Sequence, residues 1–249
     1  MPDKMALLPH QIEHIRRLKE SSILLVRKAP QGIFRTHGRL GIFPASFNPP
    51  TKAHVALIRR ASRVGHLDEM LVVLDAQAMD KELFGARLED RVAMLKRLFQ
   101  RDPKISIGIS NRGLFVEKLA PLRGFYPAPI AFTFILGFDT ILRVMDKKYY
   151  KNLKDSLDKL FKESRFIVAN RGEQDREAFD NLLEHPGNKR FKNKVSFLLL
   201  PKGTSYISSS LVRNRIRDGK SVDELVPSPV LRFIEETGLY ANSKQQGKR

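Results

Sequence analysis

Among its 249 residues the chain has no cysteine and no tryptophan. The first absence excludes disulfides, thiolate chemistry and cysteine-ligated zinc, and it permits a reducing compartment, so a cytoplasmic protein is expected. Missing too is any apolar run near the roughly 20 residues that cross a bilayer, and the opening MPDKMALLPHQ lacks the apolar core of a secretory signal. A soluble protein that needs no membrane is expected. No internal repeat and no low-complexity segment is found. Acidic residues are the scarce charge: 27 Asp and Glu face 45 Lys and Arg, for a formal net charge of +18. Such a field attracts nucleotides, nucleic acid or anionic membrane, which gives the sign of a partner without naming it.

What is present suits one α/β domain, because 42% hydrophobic content in a chain of this length can bury a sizeable core. From residue 40 onward, short apolar runs alternate with segments of helical period, the pattern of parallel βαβ units. The runs are LGIF (40–43), EMLVVL (69–74), ISIGI (105–109), FTFILG (132–137), RFIVAN (165–170) and VSFLLL (195–200). Between them, Leu88, Val92, Leu95 and Phe99 form one helical stripe, and Leu153, Leu157 and Leu160 another. The expected fold is a doubly wound, mainly parallel sheet with helices on both faces. Near the end, Ser228, Pro229 and Gly238 read as the cap, first-turn proline and terminating glycine of a last helix. Residues 1–38 read as an N-terminal extension of a helix (Leu8, Ile12, Ile15, Leu18) and a connector with a strand and turn. Residues 39–241 form the main domain, and 242–249 a disordered basic tail.

Three stretches carry candidate chemistry. GIFPASFNPPTKAH (41–54) leaves the first strand at Phe43, crosses a Gly/Pro/Asn-rich turn and begins a helix near Thr51, with Val55, Ile58 and Ala61 facing inward. A strand, turn and helix N-terminus at the carboxyl end of a parallel sheet offers free N–H groups and a positive dipole end to phosphate. His54 falls on the first turn. The same residues also suit plain helix initiation with a surface histidine, and the loop alone does not separate the two. In YISSSLVRNRIRDG (206–219), serines and Arg213 converge at a second helix start, an arrangement fit for paired phosphate oxygens, or for an ordinary serine-capped basic helix. In ILGFDT (135–140), Gly137 allows close approach to the backbone and Asp139 can accept from a sugar hydroxyl or a ring amide; a simple turn accounts for the pair equally well.

Taken together, in this order and spacing, the three motifs resemble those of the nicotinamide/nicotinate mononucleotide adenylyltransferases, within the Rossmann-like nucleotidyltransferases. That class carries a Gly-x-Phe-x-Pro loop ending in histidine and a late Ile-Ser-Ser-Thr-x-Ile-Arg motif, here GIFPASFNPPTKAH and ISSSLVR. GFDT and the ending LVPSPVLRFIEETGLY also fit, and the resemblance covers roughly residues 39 to 240. It implies a Rossmann-like nucleotidyltransferase domain and transfer of AMP from ATP to the mononucleotide, with pyrophosphate released. His54 and Arg213 would be the catalytic residues. ATP and its phosphates would be bound by Gly41, Phe43, Ser46, Phe47, Thr51, Ser208, Ser209 and Lys81. Gly137, Asp139, Thr140 and Tyr149 would lie on the mononucleotide or ribose side. Mg²⁺ would bridge phosphate oxygens through substrate and water, with no protein metal ligand. ATP and the mononucleotide are the implied partners, with nucleic acid not expected and a homo-oligomer left open.

Two departures stand out. The family's stacking tryptophan is missing, and Tyr149, Tyr150 or a nearby Phe would have to supply the aromatic face. Ala53 stands where glycine is common. Alternatives within reach are a nucleotidyltransferase with another phosphorylated acceptor, such as a cytidylyltransferase or a phosphopantetheine adenylyltransferase, or a nucleotide- or RNA-binding relative without turnover.

Overall fold

The structure is a computed structural model, and it describes residues 7–76, 85–170 and 176–241. Lys81 and the basic segment 242–249 lie outside the described residues.

Seven strands form one sheet: β1 (Ile23–Arg27), β2 (Gly38–Pro44), β3 (Glu69–Asp75), β4 (Ile105–Ser110), β5 (Ile130–Gly137), β6 (Ser164–Ala169) and β7 (Val195–Leu198). Their order is β1-β4-β3-β2-β5-β6-β7, with all neighbours parallel except β1, which pairs antiparallel with β4. The six parallel strands are arranged as two three-strand halves meeting between β2 and β5, the Rossmann-like order in which ligands bind at the junction. All six runs read from the sequence are strands here, although VSFLLL stops pairing at Leu198. β3 and β4 are almost entirely buried, because a parallel strand covered on both faces has no polar side to show.

Alternate side chains divide the core. Leu71 and Val73 point to one face with Leu40, Phe134 and Phe166, while Met70, Val72 and Leu74 point to the other with Ile107, Ile135 and Ile167. The first face is covered by α4 (Phe115–Arg123), α5 (Phe138–Val144), α6 (Leu153–Glu163) and α7 (Arg176–Glu184). Over the second lie α1 (Leu8–Arg17), α2 (Lys52–Val64) and α3 (Leu88–Leu98). Further out, α8 (Ser209–Arg217) and α9 (Ser228–Thr237) pack on α3 through Val212, Val230, Phe233 and Met94. In α2 the inward residues are Ala53, Leu57, Ile58 and Ala61, and Val55 is only half-buried. In α9 Ser228 is the first helical residue and Pro227 the cap, while Gly238 ends the helix at φ 65° as its lack of a side chain allows.

Residues 7–38 are built into the same sheet and core. β1 forms its antiparallel edge, and Leu8, Ile12 and Ile15 of α1 are buried. A buried carboxylate fastens the connector. Glu69, at the start of β3, is 1% exposed and accepts from Lys28 Nζ at 2.9 Å, the Tyr126 hydroxyl at 2.6 Å, Ser106 Oγ at 2.5 Å and the Ile33 N–H at 2.7 Å. Lys28 also sits 3.8 Å from the centre of the Tyr126 ring. The Tyr126 hydroxyl is held far above the usual tyrosine range, first by burial and then by the Glu69 charge. No helix among the described residues is long and apolar enough to cross a membrane.

Candidate active site

A cleft of about 580 Å³ opens at the carboxyl ends of the parallel strands, where Pro44, Asp75, Gly137 and Ala169 finish β2, β3, β5 and β6. Its second wall is the start of α8.

The loop after β2 is locked to the helix it begins. Thr51 caps α2, its Oγ1 accepting from the His54 N–H at 3.4 Å. In return, the Thr51 backbone N–H donates to His54 Nδ1 at 2.9 Å, and Thr51 Oγ1 lies 2.8 Å from the same nitrogen. A backbone N–H can only donate, so Nδ1 is the acceptor and the neutral ring carries its proton on Nε2. The imidazole is also wedged by aromatic rings, with centroids 4.9 Å from Phe47 and 5.9 Å from Phe43. Phe47 is fully buried beneath it at φ 45°, a left-handed conformation that a bulky residue adopts only when its surroundings enforce it.

α8 closes on that loop. Ser208 caps the helix by accepting from the Leu211 N–H at 3.1 Å. Ser209 Oγ donates to Pro49 O at 2.8 Å, and Arg213 donates to Asn48 O at 2.6 Å and to Ser210 Oγ at 3.1 Å. The first and second motifs therefore meet directly, although 160 residues separate Pro49 from Ser209. Three further groups hold the loop from behind: the buried Arg91 donates to Ser46 O at 3.3 Å, the Tyr240 hydroxyl donates to Asn48 Oδ1 at 2.9 Å, and the Ala86 N–H donates to the same oxygen at 3.2 Å.

The third motif supplies the far wall. Gly137 caps α5 with open space before it, since a side chain there would meet nothing within 4 Å. Asp139, Thr140 and Arg143 line the cleft beside it, followed by Tyr149 and Tyr150. Tyr150 donates to Val144 O at 2.9 Å, and burial, with the charge of Glu117, pushes its hydroxyl up to about 12.

Of the residues singled out from the sequence, Phe43, Ser46, His54, Gly137, Asp139, Thr140, Tyr149, Ser208, Ser209 and Arg213 all line this one cleft. Gly41, Phe47 and Thr51 do not line it. Gly41 lies within β2, where a side chain would run into Leu67 and Met70, so its smallness serves packing. Phe47 and Thr51 are buried supports of His54. Sequence reasoning missed Asp75, Asn48, Arg91, Lys118 and Tyr240. A signal existed for two of them: Arg91 and Lys118 occupy inward positions of α3 and α4, where the apolar stripe leads one to expect Leu or Val.

Donors from two helix starts face one point, and carboxylates stand to its sides, as the handling of a polyphosphate and two sugar-bearing groups requires. Fold and cleft place the molecule among the Rossmann-like nucleotidyltransferases. Residues 42–215 match the cytidylyltransferase-like family model, and the chain belongs to that family. Among curated relatives it is 30% identical to a phosphopantetheine adenylyltransferase of Flavobacterium psychrophilum, over 77% of this chain and 97% of the relative. It is 28% identical to a probable nicotinate-nucleotide adenylyltransferase of Dehalococcoides mccartyi, over 81% of this chain and 97% of the relative. Among solved structures, the nicotinic acid mononucleotide adenylyltransferase of Plasmodium falciparum complexed with NaAD has the same fold. Its TM-score is 0.63 at 21% identity, over 82% of this chain and 98% of that one.

Proposed function

We propose that the protein is an ATP-dependent adenylyltransferase that joins AMP to nicotinamide or nicotinate mononucleotide and releases pyrophosphate, a step of NAD biosynthesis. The observation that carries the reading is the meeting of His54, Ser208, Ser209 and Arg213 in one cleft at the sheet's switch point. A phosphate oxygen of the mononucleotide attacks the α-phosphorus of ATP, and the bond to the bridging β-oxygen breaks as pyrophosphate departs. No covalent enzyme intermediate is needed, so catalysis is positioning plus charge stabilisation. His54, held by Thr51 with Nε2–H as its donor, stabilises charge on the α-phosphate. The Ser208 and Ser209 hydroxyls with the Arg213 fork receive the pyrophosphate.

Mg²⁺ carried with ATP would spread the phosphate charge, and no side chain of this cleft is assigned to hold it. Asp139 and Thr140 take a ribose, and the Tyr149 and Tyr150 rings stand in for tryptophan beside the pyridine.

A second reading keeps the chemistry and changes the acceptor to 4′-phosphopantetheine, favoured by the 30% identity to the Flavobacterium enzyme. Pyrophosphate release from ATP and Mg²⁺, measured with each mononucleotide and with phosphopantetheine, separates them. Release with a mononucleotide is expected; release with phosphopantetheine alone would replace the first reading by the second.

A further inference from the structure

The net charge of +18 is not shared evenly between the two sides of the sheet. On the first side, α4, α5, α6 and α7 together hold seven Lys and Arg against eight Asp and Glu. Four of those acids are engaged, Asp158 by Arg190, Glu163 by Arg123, Asp180 by Arg176 and Glu184 by Lys192. On the second side, α1, α2, α3, α8 and α9 hold thirteen cations against five acids. α2 and α8 supply seven of the thirteen and contain no acid.

In α2 the excess forms a stripe. Ala53, Leu57, Ile58 and Ala61 are turned to the sheet, so Lys52, Arg59, Arg60 and Arg63 share the opposite, exposed side. None of the four lines the cleft, and the adenylyl-transfer scheme leaves them unused. Arg59, Arg60 and Arg63 pair with no acid among the described residues. At the two ends of the helix the acids are occupied: Asp68 is bound to Arg39, and Asp223, near Lys52, accepts from Ser221. α8 adds to the field, because its start is bonded through Ser209 and Arg213 to the residues just before α2, and Arg215 and Arg217 are exposed beyond.

We propose that the exposed face of α2 is a docking surface for the phosphate backbone of double-stranded DNA, bound without regard to base sequence. From Lys52 to Arg63 the stripe runs about 16 Å at 1.5 Å per residue, long enough to bridge phosphates on both sides of a B-form major groove about 12 Å wide. The major groove of duplex RNA is too narrow for that span to match. Arginine forks suit phosphodiester oxygens, and no base is read, since the apolar side of α2 is held against the sheet and the helix cannot sink into the groove. A single strand finds no stacking platform, because the one aromatic ring of α2 belongs to His54 in the cleft. A bilayer finds no apolar side to bury, because the core has taken it.

Anisotropy of a labelled DNA duplex about two helical turns long, titrated with the full chain over a range of salt, tests the surface. Wild-type protein should bind with a log–log salt slope of about −3 to −4, as for four neutralised phosphates. A variant carrying Arg59→Gln, Arg60→Gln and Arg63→Gln should bind at least about ten-fold more weakly, with the slope reduced by about 2 to 3. Lys154→Gln, Lys159→Gln and Lys162→Gln on α6 remove the same charge from the other side and should change affinity less than about two-fold. Both variants should keep a wild-type unfolding midpoint. A wild-type slope near zero overturns the proposal without any variant, and so does unchanged affinity in the α2 variant. Equal losses in the two variants would assign binding to bulk charge and overturn the surface. Binding as tight to duplex RNA, to a single strand or to vesicles of anionic phospholipid would overturn the choice of duplex DNA.

Discussion

β3 begins and ends in a lysine-paired carboxylate, and the two could hardly be used more differently. At its amino end Glu69 accepts from an ammonium, two hydroxyls and a backbone N–H, and opens onto nothing. At its carboxyl end Asp75 has Lys118 on one oxygen and a cleft before it. Net charge and strand are the same in both cases. The difference lies in how many lone pairs remain unspent: a saturated carboxylate holds chains together, and a half-satisfied one is available to a ligand.

Breaking the first node should produce the largest effect, and on stability. Glu69→Ala leaves the buried Tyr126 and Ser106 and the partly exposed Lys28 without their common acceptor, and a loss of about 3–5 kcal/mol in denaturant unfolding is expected. A loss under about 1 kcal/mol would erase the contrast. At the other end the cost should fall on rate. His54→Ala is expected to lower kcat by on the order of 10², about 2.7 kcal/mol in the barrier, with an unfolding midpoint close to wild type. Full turnover in that variant would remove the histidine from the chemistry. The finest probe is Tyr126→Phe, which takes one donor from Glu69 and leaves three. A loss of about 1 kcal/mol in stability with unaltered kcat is the expected outcome, and a changed kcat would show that the amino end of the sheet speaks to the cleft.

How much of this was legible in the sequence follows from distance along the chain. Thr51 and His54 lie one helical turn apart, and Ser208 and Arg213 share another helix start, so local spacing alone brought each pair together. The six parallel strands were legible for a similar reason: buried on both faces, they are written as unbroken apolar runs. β1 was harder, since Ile23–Arg27 reads equally well as a parallel or an antiparallel strand and only its pairing with β4 decides. Asp75 and Lys118 were illegible as a pair, because they come from separate elements and an aspartate ending a strand looks like a turn. The loop's other supports, Arg91 and Tyr240, reach it from α3 and from beyond α9, contacts that no local pattern encodes.

The bond from Tyr240 to Asn48 spans 192 residues, which gives the site a birth order. During synthesis the strand, turn and helix around His54 emerge early, yet the hydroxyl that secures Asn48 is made last. At roughly 5–20 residues per second, the ribosome needs on the order of 10–40 s to bridge that interval. For most of that time Ser209, Arg213 and Tyr240 do not yet exist, and the nascent chain carries a phosphate loop held only by its early partners Thr51, Ala86 and Arg91. Competence to bind and activate a nucleotide thus arrives in a single late event, when α8, α9 and the residue beyond them fold back onto a loop that has been waiting since the first fifth of the chain.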